Sequence, residues 1–405
     1  MDVVFYTDSF VPMRDGVSSI TYGLARQLTR LGHSVRVFAP NPVRGAPTEE
    51  TTVDGIATTR IRSVPIPLYG QYRWPVLPAG LLKEVRGGRD ADVLHLHSPG
   101  PIGSAGFLAA RRYGRPLIGT FHTNVREMRE SVPQKLLVPF FFRVAWWYNL
   151  GTYLRCDVTT APSAAARDAL VGSSRKPFRH PAVVVPNGID VDRFHPGTRV
   201  PDWRARCGLA PSAPLVSYLG RLTHDKGVHR FLDAVAAASE RTDLVGIVGG
   251  TGPEETAVRE RIAKEPALTS RVRYVGPVAE EEKPALLGQS DLFVLPSTSD
   301  TSSVALLEAM ACGTMVVAPA SGGAAEVVED GVTGRRVPVL VPGALAGTIV
   351  ELLDHADDRH RIGRQAAAEV RCHASLETMA RRFISLYELV LDERGSCGRR
   401  TALGA

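Results

Sequence analysis

The chain has 405 residues, enough for two domains, and its 44% hydrophobic and 22% charged residues are those of an ordinary globular protein rather than a disordered or fibrous one. Five scattered cysteines, Cys156, Cys207, Cys312, Cys372 and Cys397, form no CxxC or Cys/His cluster, which excludes a disulfide framework and a zinc site as expectations. The net charge is +6 but uneven: residues 1–195 carry 24 basic against 15 acidic side chains and the remainder 24 against 27, so the first half is the one suited to an anionic partner or membrane surface.

Met1–Tyr6 lacks the basic and apolar regions of a signal peptide, and no run of 18 apolar residues is present. A cytoplasmic location is expected. Asp2–Thr7 reads as a buried strand, Asp8–Val17 as a loop, and Ser18–Leu31 as a helix with Ile20, Leu24, Leu28 and Leu31 on one face. Val35–Ala39 completes a βαβ unit. The loop carries Asp15-Gly16, where backbone turns sharply or approaches a ligand. It is not the GxGxxG fingerprint, which speaks against a nicotinamide enzyme.

The alternation continues with strand Val93–His97, helix Ile102–Tyr113 and strand Pro116–Phe121, which ends at His122. Ligands of open α/β sheets bind at such strand ends, so His122 is a candidate functional residue. Residues 126–155 are dense in aromatics, with Phe140, Phe141, Phe142, Trp146, Trp147 and Tyr148 punctuated by Arg143. That composition suits a membrane interface, and equally a buried helix between domains. Val158–Ser163 leads into helix Ala164–Leu170, and Pro186-Asn187-Gly188-Ile189-Asp190 is a turn. His195–Pro214 reads as a linker.

Leu215–Gly220 restarts the βα pattern, with Arg221 and Lys226 just beyond it. Two cations at a strand end can grip a diphosphate, Arg as a fork and Lys as a point charge. Helix Val228–Ala238 and strand Leu244–Val248 follow, then Gly249–Pro253, whose Gly250 and Gly252 let backbone N–H groups approach a ligand. Strand Val272–Gly276, helix Glu280–Gln289 and strand Leu292–Pro296 feed the stretch Ser299–Gly313. Met315–Ala318 is a strand, Gly331–Gly334 a turn, Pro342 to about Asp392 helical, and Arg394–Ala405 a disordered tail.

Ser299–Gly313 is the most informative stretch. Asp300 lies in a loop, Ser302 or Ser303 can cap a helix, Val304–Ala311 are good helix formers, and Gly313 is a stop. Glu308 lies roughly 7 Å along the axis from the helix start at about 1.5 Å per residue. A helix N-terminus attracts anions, so a diphosphate over Ser302 and Ser303 would leave a sugar hydroxyl for each carboxylate. The same stretch also fits an amphipathic helix with a surface glutamate.

Taken together, Asp15-Gly16, His122, the Pro186–Asp190 turn, Gly220-Arg221 with Lys226-Gly227, Gly250-Thr251-Gly252-Pro253 and an acid-x7-Glu motif resemble the retaining glycosyltransferases of family 4 over nearly the whole chain to about residue 390. The resemblance implies an α/β protein of the GT-B fold, two Rossmann-like domains facing across a cleft. Residues 1–198 would be the acceptor domain, with a helix near 376–392 packed back on it, and 199–375 the nucleotide-sugar domain. It further implies that Glu308 holds the ribose, that Asp300 faces the sugar, and that Arg221 and Lys226 stabilise the leaving diphosphate. His122 would lie near the reacting centre. Gly16, Gly220, Gly250, Gly252, Thr301, Ser302 and Ser303 would line the donor. No metal or other cofactor is expected, and no nucleic-acid partner.

The departure from the pattern is Asp300 where the family has Glu, followed by Thr301-Ser302-Ser303 rather than a glycine-containing turn. The carboxylate is one methylene shorter, which bears on the identity of the donor sugar, UDP-linked or GDP-mannose. Within the family, the N-terminal block and His95–Asn124 look like the branch acting on lipid acceptors, peripheral on the inner face of the plasma membrane. A soluble acceptor such as an antibiotic precursor or cyclitol, a sugar-nucleotide epimerase, and an idle binding protein are the alternatives.

Overall fold

Strands whose residues are all apolar can be buried on both faces only where helices cover each side of a parallel sheet. Leu215–Leu219, Leu292–Val294 and Met315–Pro319 are buried at every position. The computed structural model describes residues 1–13, 15–66, 69–76, 81–122, 138–197, 203–206, 208, 210 and 213–402. It divides into two units, Met1–Gly188 with Leu376–Ala405, and Ile189–Ser375. The first crossing falls at Gly188 rather than at the expected 198. Ile189 donates its N–H to the Ala374 carbonyl at 2.8 Å and bridges Ser375, so both crossings are tied together by backbone.

The first unit contains β1 (Asp2–Tyr6), α1 (Gly16–Arg30), β2 (Ser34–Pro40), β3 (Glu49–Val53), β4 (Ile56–Ile61), β5 (Ser63–Ile66), β6 (Tyr69–Pro75), α2 (Leu81–Gly87), β7 (Val93–Leu96), α3 (Pro101–Tyr113), β8 (Leu117–Thr120), α4 (Val138–Tyr153), β9 (Val158–Ala161), α5 (Ala164–Gly172) and β10 (Val183–Val184). The sheet order is β10-β9-β8-β7-β1-β2-β4-β3, parallel except for the β3–β4 pair, and β5–β6 form a separate antiparallel ribbon. Strand order reverses between β1 and β7. Helix α1 starts at Gly16, two residues before the expected Ser18, because Asp15 caps it: Asp15 Oδ1 accepts from the Ser18 N–H at 2.9 Å.

Helix α4 answers part of the question posed by the aromatic stretch, of which residues 126–137 lie outside the described residues. Trp146, Leu150 and Tyr153 are buried, and Trp146 and Tyr153 meet the Phe121 ring edge-on. Arg143, Val144, Trp147 and Tyr148 point outward, Trp147 with 77% of its surface exposed. The helix thus packs by one face and presents apolar groups on the other.

The second unit contains α6 (Trp203–Arg206), β11 (Leu215–Leu219), α7 (Val228–Ser239), β12 (Val245–Gly249), α8 (Glu255–Lys264), α9 (Pro266–Arg271), β13 (Val272–Gly276), α10 (Lys283–Gly288), β14 (Leu292–Val294), α11 (Val304–Ala311), β15 (Met315–Pro319), β16 (Arg335–Val337), α12 (Ala344–Asp354) and α13 (Ala356–His373). Its six parallel strands run β13-β12-β11-β14-β15-β16. This is the doubly wound order 3-2-1-4-5-6, with its switch point between β11 and β14. The core includes Val216, Phe231, Ile247, Phe293 and Val316, all without exposed surface.

The last helix, α14 (Leu376–Ala402), belongs to the first unit and continues past Arg394, where a disordered tail was expected to begin. Arg394 donates to the Gly114 carbonyl and, at 2.7 Å, to Asp157. Upstream, the Tyr387 hydroxyl lies 2.8 Å from His95 Nδ1, and His95 Nε2 lies 2.7 Å from Thr120 Oγ1. His95 has no exposed surface, and burial, with the nearby His122, holds its pKa well below the usual histidine value. The folded protein therefore keeps His95 neutral, while the unfolded chain protonates it near pH 6.5. Below that pH the unfolded state binds the extra proton, so stability present at neutral pH is lost as pH falls, at up to about 1.4 kcal/mol per pH unit for this one group. Urea midpoints at pH 7 and pH 5 will show the loss, and His95→Gln will flatten the slope; a midpoint independent of pH in the unmodified protein would contradict the assignment.

Candidate functional site

In a doubly wound sheet the chain leaves the two strands at the switch point in opposite directions, which opens a crevice at their carboxyl ends. In the second unit those strands are β11 and β14. Gly220 and Arg221 follow β11, and a single turn of 3-10 helix, His224–Lys226, comes next. The segment from Leu295 to Ser303 follows β14. Asp225, which the sequence reading passed over, stitches the two together. Its carbonyl accepts from Thr298 N–H at 2.9 Å, and its carboxylate from the Ser299 hydroxyl at 2.9 Å. Asp225 is 5% exposed.

The stitching brings Lys226 against Asp300. Lys226 Nζ lies 2.5 Å from Asp300 Oδ1 and 3.3 Å from the Ser299 carbonyl, with the paired side chains 15% and 12% exposed. The two residues expected to act on different parts of a donor are partners here. Asp300 Oδ2 is buried and has no hydrogen-bond partner among the described residues. A carboxylate with one oxygen spent on a cation and one unspent can still accept from a ligand hydroxyl. Arg221 stands half-buried at the end of β11, five positions before Lys226.

The glycines of this region are accounted for by backbone meeting backbone. Gly227 has φ +76°, and a Cβ there would lie 2.1 Å from the Pro296 carbonyl oxygen. Gly250 has φ +130°, and its Cβ would lie 1.9 Å from the Gly220 carbonyl oxygen; one at Gly252 would lie 2.3 Å from that of Leu222. Gly250 and Gly252 therefore pack the turn after β12 against the turn after β11, a requirement of the fold that stands whatever binds nearby.

Ser303 caps α11, accepting from the Leu306 N–H at 3.3 Å, while Thr301 and Ser302 remain half-buried in the loop before it. Of the two serines considered for the cap, the structure uses the second. Glu308 is 5% exposed, not a surface glutamate. Burial pushes its carboxyl up from the usual range, against the pull of Lys283, whose Nζ is 3.8 Å from Oε1. That separation exceeds a hydrogen bond. Lys283 instead contacts Glu280 at 2.5 Å, and Glu280 accepts from Arg193 at 2.9 Å. Burial would lower Lys283, but Glu308 and Glu280 together carry it up, so it stays charged. The lysine answers Glu280 first and leaves Glu308 undercompensated, poised to accept hydrogen bonds from hydroxyl groups. Glu280 and Lys283 were three apart in a segment already read as helical, so their pairing had a signal; the approach of Arg193 had none.

In the first unit the corresponding crevice lies between the carboxyl ends of β1 and β7. Gly16 opens α1 after the loop from β1. Asp8, in the same loop, caps α3 from a distance in sequence, accepting from the Ile102 N–H at 3.1 Å and the Ser98 hydroxyl at 2.8 Å. Burial raises its carboxyl pKa to about 6. His122 follows β8 and lies beside His97, which follows β7, with His97 Nδ1 3.1 Å from His122 Nε2. Burial lowers His122 to about 4, so it is neutral at physiological pH. His97 was read only as the end of a strand, although the His95-x-His97 spacing puts both rings on one face.

Residues 14–193 match the model of "Glycosyltransferase Family 4", and residues 200–369 that of "Glycosyl transferases group 1". The chain is 31% identical to a GDP-mannose-dependent alpha-mannosyltransferase of Mycolicibacterium smegmatis, over 97% of this chain and 99% of the relative. It is 29% identical to a phosphatidyl-myo-inositol mannosyltransferase of Mycobacterium tuberculosis, over 93% of each. Among solved structures, sucrose-phosphate synthase from Thermosynechococcus elongatus superposes with a TM-score of 0.77 at 20% identity, over 97% of this chain and 100% of that one, a likeness of fold. The doubly wound units, the switch-point residues and these matches agree: the chain belongs to glycosyltransferase family 4, and its fold is GT-B.

Proposed function

We propose that the chain transfers mannose from GDP-mannose, with retention at the anomeric carbon, to a hydroxyl of an inositol-type lipid at a membrane surface. The observation that carries the reading is the Lys226–Asp300 pair at the β11/β14 switch point, with Arg221 at the end of β11 and Glu308 undercompensated on the helix after β14. The relatives named above act on GDP-mannose and on phosphatidyl-myo-inositol by their descriptions, which favours that donor and that acceptor class over the alternatives.

Glu308 accepts the two ribose hydroxyls, which completes the hydrogen bonding its burial leaves unmet. Arg221 and Lys226 face the diphosphate; on donor binding the lysine exchanges Asp300 Oδ1 for phosphate oxygens, and Asp300 is freed to accept sugar hydroxyls. As the anomeric C–O bond to phosphate breaks, the two cations neutralise the charge that develops on the leaving oxygen. The acceptor hydroxyl attacks on the same face and gives its proton to that leaving phosphate oxygen. Sugar–oxygen bond formation and cleavage balance, and the diphosphate departs as GDP. Two fixed cations at the phosphates support a reaction that needs no metal.

Helix α4 and its neighbour α3 support the membrane reading. The Tyr148 and Ser104 hydroxyls bond at 2.5 Å and join the two helices. Their outward side chains include Val144, Trp147 and Leu108, 48%, 77% and 45% exposed, with Arg143, Arg111 and Arg112 also exposed. Apolar and aromatic groups among arginines suit the headgroup region of an anionic bilayer, where the rings enter the interface and the cations meet phosphate. Among the described residues no helix is long and apolar enough to cross a membrane. The proposed place is peripheral, at the surface of an anionic bilayer.

Two experiments test the reading. Transfer from GDP-mannose to phosphatidylinositol vesicles will be detected in the unmodified protein, and Glu308→Ala and Lys226→Ala will each lower kcat/KM at least about tenfold, roughly 1.4 kcal/mol of transition-state stabilisation. Near-normal kinetics in either variant would sink the corresponding role. In flotation at two anionic lipid fractions, binding will rise with the anionic fraction and fall in Trp147→Ala. No binding, or indifference to lipid charge, would remove the membrane and leave a soluble hydroxyl acceptor.

A further inference from the structure

The geometry points to His97 as a positioning residue that holds His122 in its Nδ1–H tautomer, so that the His122 ring carries its proton on Nδ1 and accepts from His97 at Nε2. The two rings stack at an interplanar angle of 19°, and His97 Nδ1 faces His122 Nε2 at 3.1 Å. One proton occupies that contact, and it belongs to one ring or the other.

The surroundings of His97 decide which. The ring is 1% exposed, and it is held between Phe5, with centroids 4.5 Å apart, and His95, with centroids 4.0 Å apart. Its Nε2 is buried and has no hydrogen-bond partner among the described residues. If His122 donated, a neutral His97 would carry its own proton on Nε2 and bury a stranded N–H. Orphaned buried N–H donors are rarer in proteins than under-used acceptors. With the proton on Nδ1, the donor is satisfied by His122 and only a lone pair is left at Nε2. His122, accepting at Nε2, then carries its single proton on Nδ1. Burial disfavours the charged form of both rings, which keeps one proton on each.

A second layer fixes the orientation of this pair. His95, packed on His97, is itself anchored by Tyr387 on α14 and by Thr120, whose hydroxyl continues to Thr160 at 2.7 Å. The chain of contacts runs from the last helix through His95 and His97 to His122. Second-layer partners of this kind commonly choose the tautomer of a functional histidine. The consequence for chemistry rests on the proposed function: if His122 lies near the reacting sugar, it meets substrate as a neutral N–H donor to an oxygen and not as a base at Nδ1. The tautomer assignment itself does not depend on that reading.

Two-bond proton–nitrogen correlation on protein labelled with 15N-histidine reads the tautomers directly, with His122→Gln identifying the His122 signals. The expected result is a protonated Nδ1 and an unprotonated Nε2 for His122, and a protonated Nδ1 for His97. His97→Phe removes the donor, and His122 then shifts toward the Nε2–H form that free imidazole side chains favour. His97→Asn places an amide N–H near the former Nδ1 and restores the Nδ1–H pattern. In transfer assays the Phe variant loses at least about tenfold in kcat and the Asn variant recovers most of it. An Nε2-protonated His122 in the unmodified protein overturns the inference, whether or not the Phe variant folds. Absence of mannosyl transfer with the expected tautomer would instead count against the proposed function alone.

Discussion

The ion pair between Lys226 and Asp300 is the constraint on which the second unit's site depends. The two residues are far apart in sequence and are brought together by the strand order, since only at the switch point do the loops after β11 and β14 leave from adjacent strands in opposite directions. The pair is largely shielded from water, so removing one member would strand the charge of the other. Holding it costs specific backbone geometry. Gly227 must be glycine for the turn after β11 to lie against the Pro296 carbonyl, and Asp225 must span the two loops. In the proposed reading, a cation so placed, with an anion that phosphate can displace, serves as a preformed receptor for a diphosphate.

Charge compensation explains the division of labour among the acidic groups. Asp300 has its own lysine and one unspent oxygen. Glu308 has a lysine that is already taken up by Glu280, itself held by Arg193. The first carboxylate is thereby paired through one oxygen with the other unspent, the second buried and short of donors. The shortening from Glu to Asp at position 300 is consistent with direct contact to Lys226: the shorter arm keeps the carboxylate close to the β11 turn. In the first unit the buried histidines after β7 and β8 are neutral rather than ionic.

Much of this was legible in the residues. Apolar runs marked the central strands of both sheets because such strands are buried on both faces, and the good helix formers Val304–Ala311 coincide with α11, capped by the second of the two serines considered. Where the reading failed, the reasons were physical. Strand β3 is almost wholly exposed and threonine-rich, so no alternation of apolar and polar residues announced it. The linker expected at His195–Pro214 was a composition signal, whereas the actual crossing at Gly188 is made by backbone bonds to Ala374 and Ser375 that composition does not encode. The glycines at 250 and 252, read as letting backbone approach a ligand, are also required by the close approach of the chain to itself. Arg193, Asp225 and His97 act through partners far away in sequence, and single residues in turns or strand ends give no sign of such partners.

The most direct test of the central claim is a calorimetric titration of GDP into the unmodified protein and into Lys226→Met, which removes the cation and keeps the side-chain length. The account requires a saturable interaction with the unmodified protein and a loss of at least about tenfold in affinity for the variant, since one charge-assisted contact to phosphate is worth roughly 1.5 kcal/mol or more. GDP binding of equal strength to both proteins would contradict the assignment of Lys226 to the diphosphate and, with it, the reading of the Lys226–Asp300 pair as the donor site.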